Sequence, residues 1–277
     1  MSRLHSFAAV LAVAFAFACG CSSEKPVKIL AVGNSFSEDS VEQYLWEIAH
    51  DAGKEVVIGN MYIGGCSLER HLNNIKSGSA DYAYRKVVDG KKTSTEGFRL
   101  SEALGDEKWV FVSIQQVSGL SGLYESYGAV PELLSLLREK VPGATFMWHS
   151  TWAYQNGSTH GDFPNYGCDQ MSMYKAIISA TRQVLADNPS LKVLIPGGTA
   201  VQNMRATSVG DSMTRDGYHL DYDYGRYTAA CTWAAAVLGI DLSKVTWKPA
   251  TIDEATAALC RRAAADAVAH PYDVTVH

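Results

Sequence analysis

The sequence predicts an α/β fold, a three-layer α/β/α sandwich around a five-stranded parallel sheet, with a small β-hairpin insertion. Short apolar runs rich in β-branched residues recur at residues 28–32, 55–63, 108–114, 144–148 and 191–195. Amphipathic segments lie between them, and continuous rather than alternating apolar runs mark strands buried on both faces. One Asp89-Gly90 pair, flanked by residues 82–88 and 91–95, suits a two-residue hairpin turn that needs positive φ angles.

Taken in chain order, the first strand, residues 28–32, runs into Gly33. A helix follows over residues 38–52, with Val41, Leu45, Ile48 and Ala49 on one face and Gly53 as its stop. Ser37 or Asp39 is its expected cap. After the second strand comes the hairpin, read as an insertion near the sheet's edge. Pro131 opens a helix over residues 131–140, and a longer one spans residues 171–186. Asp223 is expected to cap a helix over residues 224–238 whose apolar and aromatic residues belong to the core. Thr251 to Glu254 has the spacing of a capping box, opening an Ala-rich helix that runs toward His270-Pro271. No repeat, low-complexity linker or domain boundary interrupts this order, so residues 22–277 are expected to form a single domain.

Residues 1–21 have a different character. Arg3 precedes an uninterrupted apolar stretch ending in small residues, the build of a secretory signal. The cysteines that follow resemble the lipobox of bacterial lipoproteins, with Cys21 the expected lipidation site and Cys19 the alternative. The expectation is an exported lipoprotein anchored to a membrane by lipid; a plain signal peptide is the other reading. The chain carries 24 Lys and Arg against 29 Asp and Glu, a net charge of -5, and has no basic stripe. That balance argues against a nucleic-acid partner, which would need such a stripe to neutralise phosphates. Cys66, Cys168, Cys231 and Cys260 lack the paired spacing of a zinc site, and their disulfide pairing is left open.

In an open parallel sheet, ligands gather at the carboxyl ends of the strands. The loop after the first strand is Gly33-Asn34-Ser35, and the glycine permits a tight turn that presents Ser35. The loop after the second holds Gly64 and Gly65, whose backbone N–H groups are exposed, and the third strand ends in Gln115-Gln116. A serine hydroxyl becomes a nucleophile only with a base in reach and a group that orients the base. His219, three residues after Asp216, meets that need. An acyl-transfer oxyanion also needs donors, and the Ser35 N–H, the Gly65 N–H and the Gln115 side-chain amide are the candidates, with Gln116 as alternative to Gln115. His149, Trp152 and Tyr154 follow the fourth strand and are candidates to line the same pocket. Tyr62, Trp148, Trp152 and Tyr154 offer apolar faces suited to sugar rings. Two rival readings remain: Ser35 as a mere helix cap, and His160, Asp162 and His219 as metal ligands.

Gly33-Asn34-Ser35-Phe36, Gly65 and Asp216-Gly217-Tyr218-His219-Leu220 together resemble, in order, blocks of the SGNH (GDSL-type) hydrolases. The segments around Gln115-Gln116 and Trp148 to Tyr154 resemble a bacterial lipoprotein subgroup of that superfamily. The resemblance implies an SGNH hydrolase-like, flavodoxin-like fold. It also implies Ser35 as nucleophile, His219 as base, Asp216 as its orienter, and an oxyanion hole that includes an asparagine side chain. This sequence departs at that asparagine, where Gln115-Gln116 stands. The implied activity is ester hydrolysis through an acyl-enzyme, with neither a metal nor an organic cofactor required. The expected substrate is a small-molecule or glycan ester, O-acetyl groups on carbohydrates foremost, with no obligate protein partner. A non-catalytic carbohydrate-binding lipoprotein on the same fold is the alternative.

Overall fold

The structure, a computed structural model, describes residues 25–276. The expected signal segment, with Cys19 and Cys21, lies outside the described residues. Among the described residues, no helix is long and apolar enough to cross a membrane.

Strand β1 (Val27–Gly33) sits at the centre of the sheet, with β2 (Val56–Tyr62) on one side and β5 (Phe111–Ile114) on the other, both parallel to it. Beyond β5 come β6 (Thr145–His149) and β7 (Leu191–Ile195), again parallel. The predicted hairpin is β3 (Tyr82–Val88) and β4 (Lys91–Phe98), and β3 pairs antiparallel with β2. The sheet is therefore mixed and seven-stranded, in the order β4-β3-β2-β1-β5-β6-β7, rather than five-stranded and parallel. The hairpin extends the sheet instead of standing apart from it because Tyr82, Ala83, Tyr84 and Val87 are buried. Asp89 and Gly90 take φ of 50° and 70°, the two left-handed residues that this turn requires. Strand β4, almost wholly exposed, forms the open edge and begins with Lys91-Lys92, charges that discourage pairing with another strand.

Alternate residues of β1 feed two apolar cores. Ile29 and Ala31 face helices α1 (Ser35–Val41), α2 (Leu45–Asp51), α7 (Gly197–Arg205), α8 (Tyr224–Leu238) and α9 (Glu254–Ala269). Leu30 and Val32 face α3 (Leu68–Ser77), α4 (Leu100–Asp106) and α5 (Val130–Lys140). Helix α6 (Gln170–Asp187) contributes to both. The result is three layers, helices on each face of a doubly buried sheet.

Three helix boundaries differ from the sequence reading. The expected helix over residues 38–52 is two helices, because Tyr44 takes a left-handed φ of 74°. A bulky residue adopts that conformation only when its surroundings demand it. Here the Tyr44 ring packs on Tyr227 and Trp247 and its hydroxyl donates to the Tyr222 carbonyl. The cap of α1 is Asn34, whose Oδ1 accepts from the Phe36 N–H, while Ser37 and Asp39 are buried further along the helix. The cap of α9 is Asp253, which accepts from the Thr256 N–H. Thr251 does not cap that helix; its hydroxyl donates to Asp223, at the start of α8.

Candidate active site

Strand β1 ends at Gly33, where any side chain is excluded: an added Cβ would lie 2.5 Å from Ser37 Oγ and 3.2 Å from Gln115 Cδ. That close approach lets the chain turn at once from strand to helix. Asn34 then caps α1, and its side chain does more than cap. Oδ1 accepts from the Phe36 N–H at 3.0 Å and from Gln115 Nε2 at 2.9 Å, while Nδ2 donates to the Cys66 carbonyl at 3.0 Å. Ser35 follows as the first helical residue, with its side chain at the C-terminal edge of the sheet.

The loop carrying Asp216 and His219 comes from the other end of the chain. Thr214 and Leu220 pair as an antiparallel bridge and the Arg215 N–H donates to the His219 carbonyl, so residues 214–220 form a closed turn. Within it Asp216 Oδ1 accepts from the N–H groups of Tyr218 and His219, at 3.2 and 2.8 Å. His219 Nδ1 donates to Asp216 Oδ2 at 2.6 Å, which assigns the tautomer and leaves Nε2 to accept from Ser35 Oγ at 2.9 Å. Burial pushes the Asp216 carboxyl up, but the His219 ring and the two backbone donors outweigh it and hold the group below the usual carboxylate range. The three residues singled out in the sequence therefore form one hydrogen-bonded line, Asp216 to His219 to Ser35.

They open on a cleft of about 280 Å³ lined by Asn34, Ser35, Tyr62, Gly64, Gly65, Val117, Ser118, His160, Tyr218 and His219. Gly65 takes a left-handed φ of 62°, and its N–H and that of Ser35 have no hydrogen-bond partner among the described residues. Both are unspent donors beside the serine hydroxyl.

Other sequence expectations do not survive the geometry. Gln115 is buried and does not reach the cleft: its Nε2 donates to Asn34 Oδ1 and its Oε1 accepts from His149 Nδ1 at 2.8 Å. Gln116 points elsewhere, accepting from the Leu68 and Val117 N–H groups and donating to Ser126. His149 is buried behind Gln115, and burial lowers its imidazole to about 3. Trp148 is buried in the sheet, and Trp152 stacks on Phe36 at 4.2 Å between ring centroids. Tyr154 is buried too, hydrogen-bonded to Ser118. These aromatics support the cleft from behind, since the Trp152 indole N–H donates to the Tyr218 carbonyl. Of the aromatic residues named from sequence, Tyr62 does line it, held against the Arg85 guanidinium at 3.7 Å. His160 lines it as well, but no three His, Cys, Asp or Glu side chains among the described residues converge as a metal site would need, so His160, Asp162 and His219 do not assemble as ligands. Cys66, Cys168, Cys231 and Cys260 are all free thiols.

A family model described as a domain of unknown function, DUF4886, matches residues 28–267. The chain belongs to the DUF4886 family. A crystal structure of a DUF4886 protein from Bacteroides uniformis is 46% identical, with a TM-score of 0.89 over 91% of this chain and 98% of that one. More distant solved structures share the fold. A protein from Slackia heliotrinireducens described as a candidate SGNH hydrolase is 23% identical, with a TM-score of 0.50 over 76% of this chain and 99% of its own. A candidate GDSL-like lipase from Parabacteroides merdae is 14% identical, with a TM-score of 0.52 over 76% and 95%. The DUF4886 fold seen here is thus SGNH hydrolase-like. Comparison with the curated proteins found no match.

Several cleft residues carried no signal in the sequence. Val117 and Ser118 stand just past the Gln115-Gln116 amides, and Tyr218 lies inside the Asp216–His219 segment. The sequence alone offers Asp39, buried one turn beyond Ser35, only as a possible cap. Its spacing of four from Ser35, which puts both on one helix face, was the available clue.

Proposed function

We propose that this DUF4886 protein is a serine ester hydrolase. The observation that carries the reading is the Asp216–His219–Ser35 hydrogen-bond line at the edge of an open cleft, with two unspent N–H donors beside the hydroxyl. Ser35 Oγ attacks the ester carbonyl carbon while its proton passes to His219 Nε2. The carbonyl π electrons move on to oxygen, where the Ser35 and Gly65 N–H groups receive the oxyanion. Asp216 stabilises the imidazolium. Collapse of the intermediate breaks the bond to the alcohol oxygen, which leaves with the proton from His219. Water, deprotonated by His219, then attacks the acyl-Ser35, and release of the acid returns the proton to Ser35. The oxyanion hole in this reading is made by backbone alone, since Gln115 is committed to Asn34 and His149.

The finer proposal is a carbohydrate O-acetyl esterase. A cleft of about 280 Å³ suits a short acyl group, and Tyr62, His160 and Tyr218 form ring walls against which a sugar leaving group can lie. Export as a lipoprotein anchored through Cys21 completes the proposal and supplies the setting in which such glycans occur. Hydrolysis of an aryl acetate and of a panel of acetylated sugars, by wild type and by Ser35→Ala, tests it. The expected result is turnover in the wild type that Ser35→Ala lowers by about a thousandfold or more. Equal rates in the two proteins would overturn the catalytic reading in favour of a binding role.

A further inference from the structure

We infer that Asp39 is a positioning residue that locks the loop bearing Asp216 and His219 to the helix bearing Ser35. The inference rests on the ester-hydrolase reading above and adds to it a residue outside the hydrogen-bond line. Asp39 lies one turn after Ser35 on α1 and exposes no surface. Its carboxylate is the meeting point of three elements. Oδ2 accepts from the Leu220 N–H at 2.8 Å, on the residue next to His219. Oδ1 accepts from Arg215 Nη1 at 3.1 Å, at the start of the same loop, and lies 2.6 Å from Arg226 Nη2 on α8.

The contacts bracket His219 on both sides. The Arg215 guanidinium that holds Asp39 also donates to the Leu220 carbonyl, and the Arg215 N–H donates to the His219 carbonyl at 2.9 Å. One buried carboxylate thereby fixes both ends of the turn that carries Asp216 and His219, and His219 sits at its stem, next to Leu220. An apolar residue could pack α1 against α8, but it could not receive the Leu220 N–H or either guanidinium. Loss of the carboxylate leaves two cations in a half-buried site, where Arg226 keeps only Glu38 as an ion-pair partner, at 3.7 Å and itself shared with Arg85 at 3.0 Å. The Ser35–His219 distance has no comparable support from Asp216, which belongs to the same loop and moves with it.

Asp39→Asn and Asp39→Ala test the lock. Asparagine keeps the shape and an acceptor for the Leu220 N–H but gives up the charge that holds the arginines. On an aryl acetate, Asp39→Asn is expected to lower kcat about tenfold and Asp39→Ala about a hundredfold, with KM within about threefold of wild type, the mark of a displaced base rather than a lost binding contact. Amide hydrogen exchange is expected to quicken by about tenfold or more at Leu220 in both variants and to stay unchanged along α6. Arg215→Met attacks the lock from the other side and serves if Asp39→Ala does not fold. Folded variants with wild-type kcat overturn the inference while leaving the ester reading intact, as does a loss of kcat that merely tracks the unfolded fraction. A wild type without esterase activity, whose variants nevertheless show the local rise in exchange, supports the lock and overturns the ester reading alone.

Discussion

Lowering the pH from about 8 to about 4.5 tests how the site is held from behind. His149 and His71 are both fully buried, and burial holds each imidazole at about 3 against an ordinary 6.5. The Nε2 atom of each has no hydrogen-bond partner among the described residues, so neither site is prepared for a second proton. A histidine whose folded value is depressed binds fewer protons folded than unfolded, so stability is lost as the pH falls below 6.5 and goes on falling until about 3. Each such histidine costs about 1.4 kcal/mol per pH unit in that window. Over the two units down to about pH 4.5 the cost is about 3 kcal/mol for His149 and about 5 for the pair, a large share of the roughly 5–15 kcal/mol that holds a typical domain. Asp216, held low, loses its contribution only below 3.8, whereas Asp39, raised by burial against the pull of Arg226 and Arg215, acts in the opposite sense. Both cancel when wild type is compared with His149→Gln, which retains an N–H for Gln115 Oε1 but cannot ionise. Urea unfolding at the two pH values is the assay. The variant is expected to lose about 3 kcal/mol less than wild type between them. Equal losses in the two proteins would refute the argument that His149 is buried neutral.

Two further expectations concern the line itself and its support. Asp216→Asn removes the acceptor that fixes the His219 tautomer, and kcat is expected to fall about 10³–10⁴-fold with little change in KM, measured by steady-state kinetics on an aryl acetate. Gln115→Leu leaves Asn34 Oδ1 without one of its donors and His149 Nδ1 without its acceptor, so urea unfolding should show a loss of about 1–3 kcal/mol. A Gln115→Leu protein of undiminished stability whose kcat nonetheless falls about 10²–10³-fold would instead make Gln115 an oxyanion donor.

What could be read in the sequence was local. Five buried strands, the Asp-Gly turn and the Asp216–His219 spacing each lie within a few residues, where periodicity and turn chemistry speak directly. The Ser35–His219 pairing followed because strand ends share one edge of a parallel sheet. Gln115 was misread because a position at a strand end does not say which way a long amide turns; here it folds back beneath Asn34. Trp152 and Tyr154 were misplaced for a related reason. The chain after β6 runs irregularly, with only a single 3-10 turn at Phe163–Tyr166 before α6, and later residues such as His160 reach the cleft while the first aromatics turn into the core. The widening of the sheet by β3 and β4 needed the burial of β3 side chains on both faces, Tyr82 and Tyr84 in one core and Val87 in the other, a tertiary fact. The Asp39 contact with Leu220 spans 181 residues, and no pattern within either segment announces it.

The contact between His219 and Ser35 closes a loop of 184 residues. Chain ends so far apart meet late, because the entropy of closing such a loop is recovered only when the intervening sheet and helices are already in place. Strand β1 and helix α1 carry the hydroxyl at the start of the fold, whereas the imidazole lies just before α8, which packs on α1 and α2. On the ester-hydrolase reading, a chain caught part-folded would therefore carry an unactivated serine. Chemistry would begin only when the whole domain has closed.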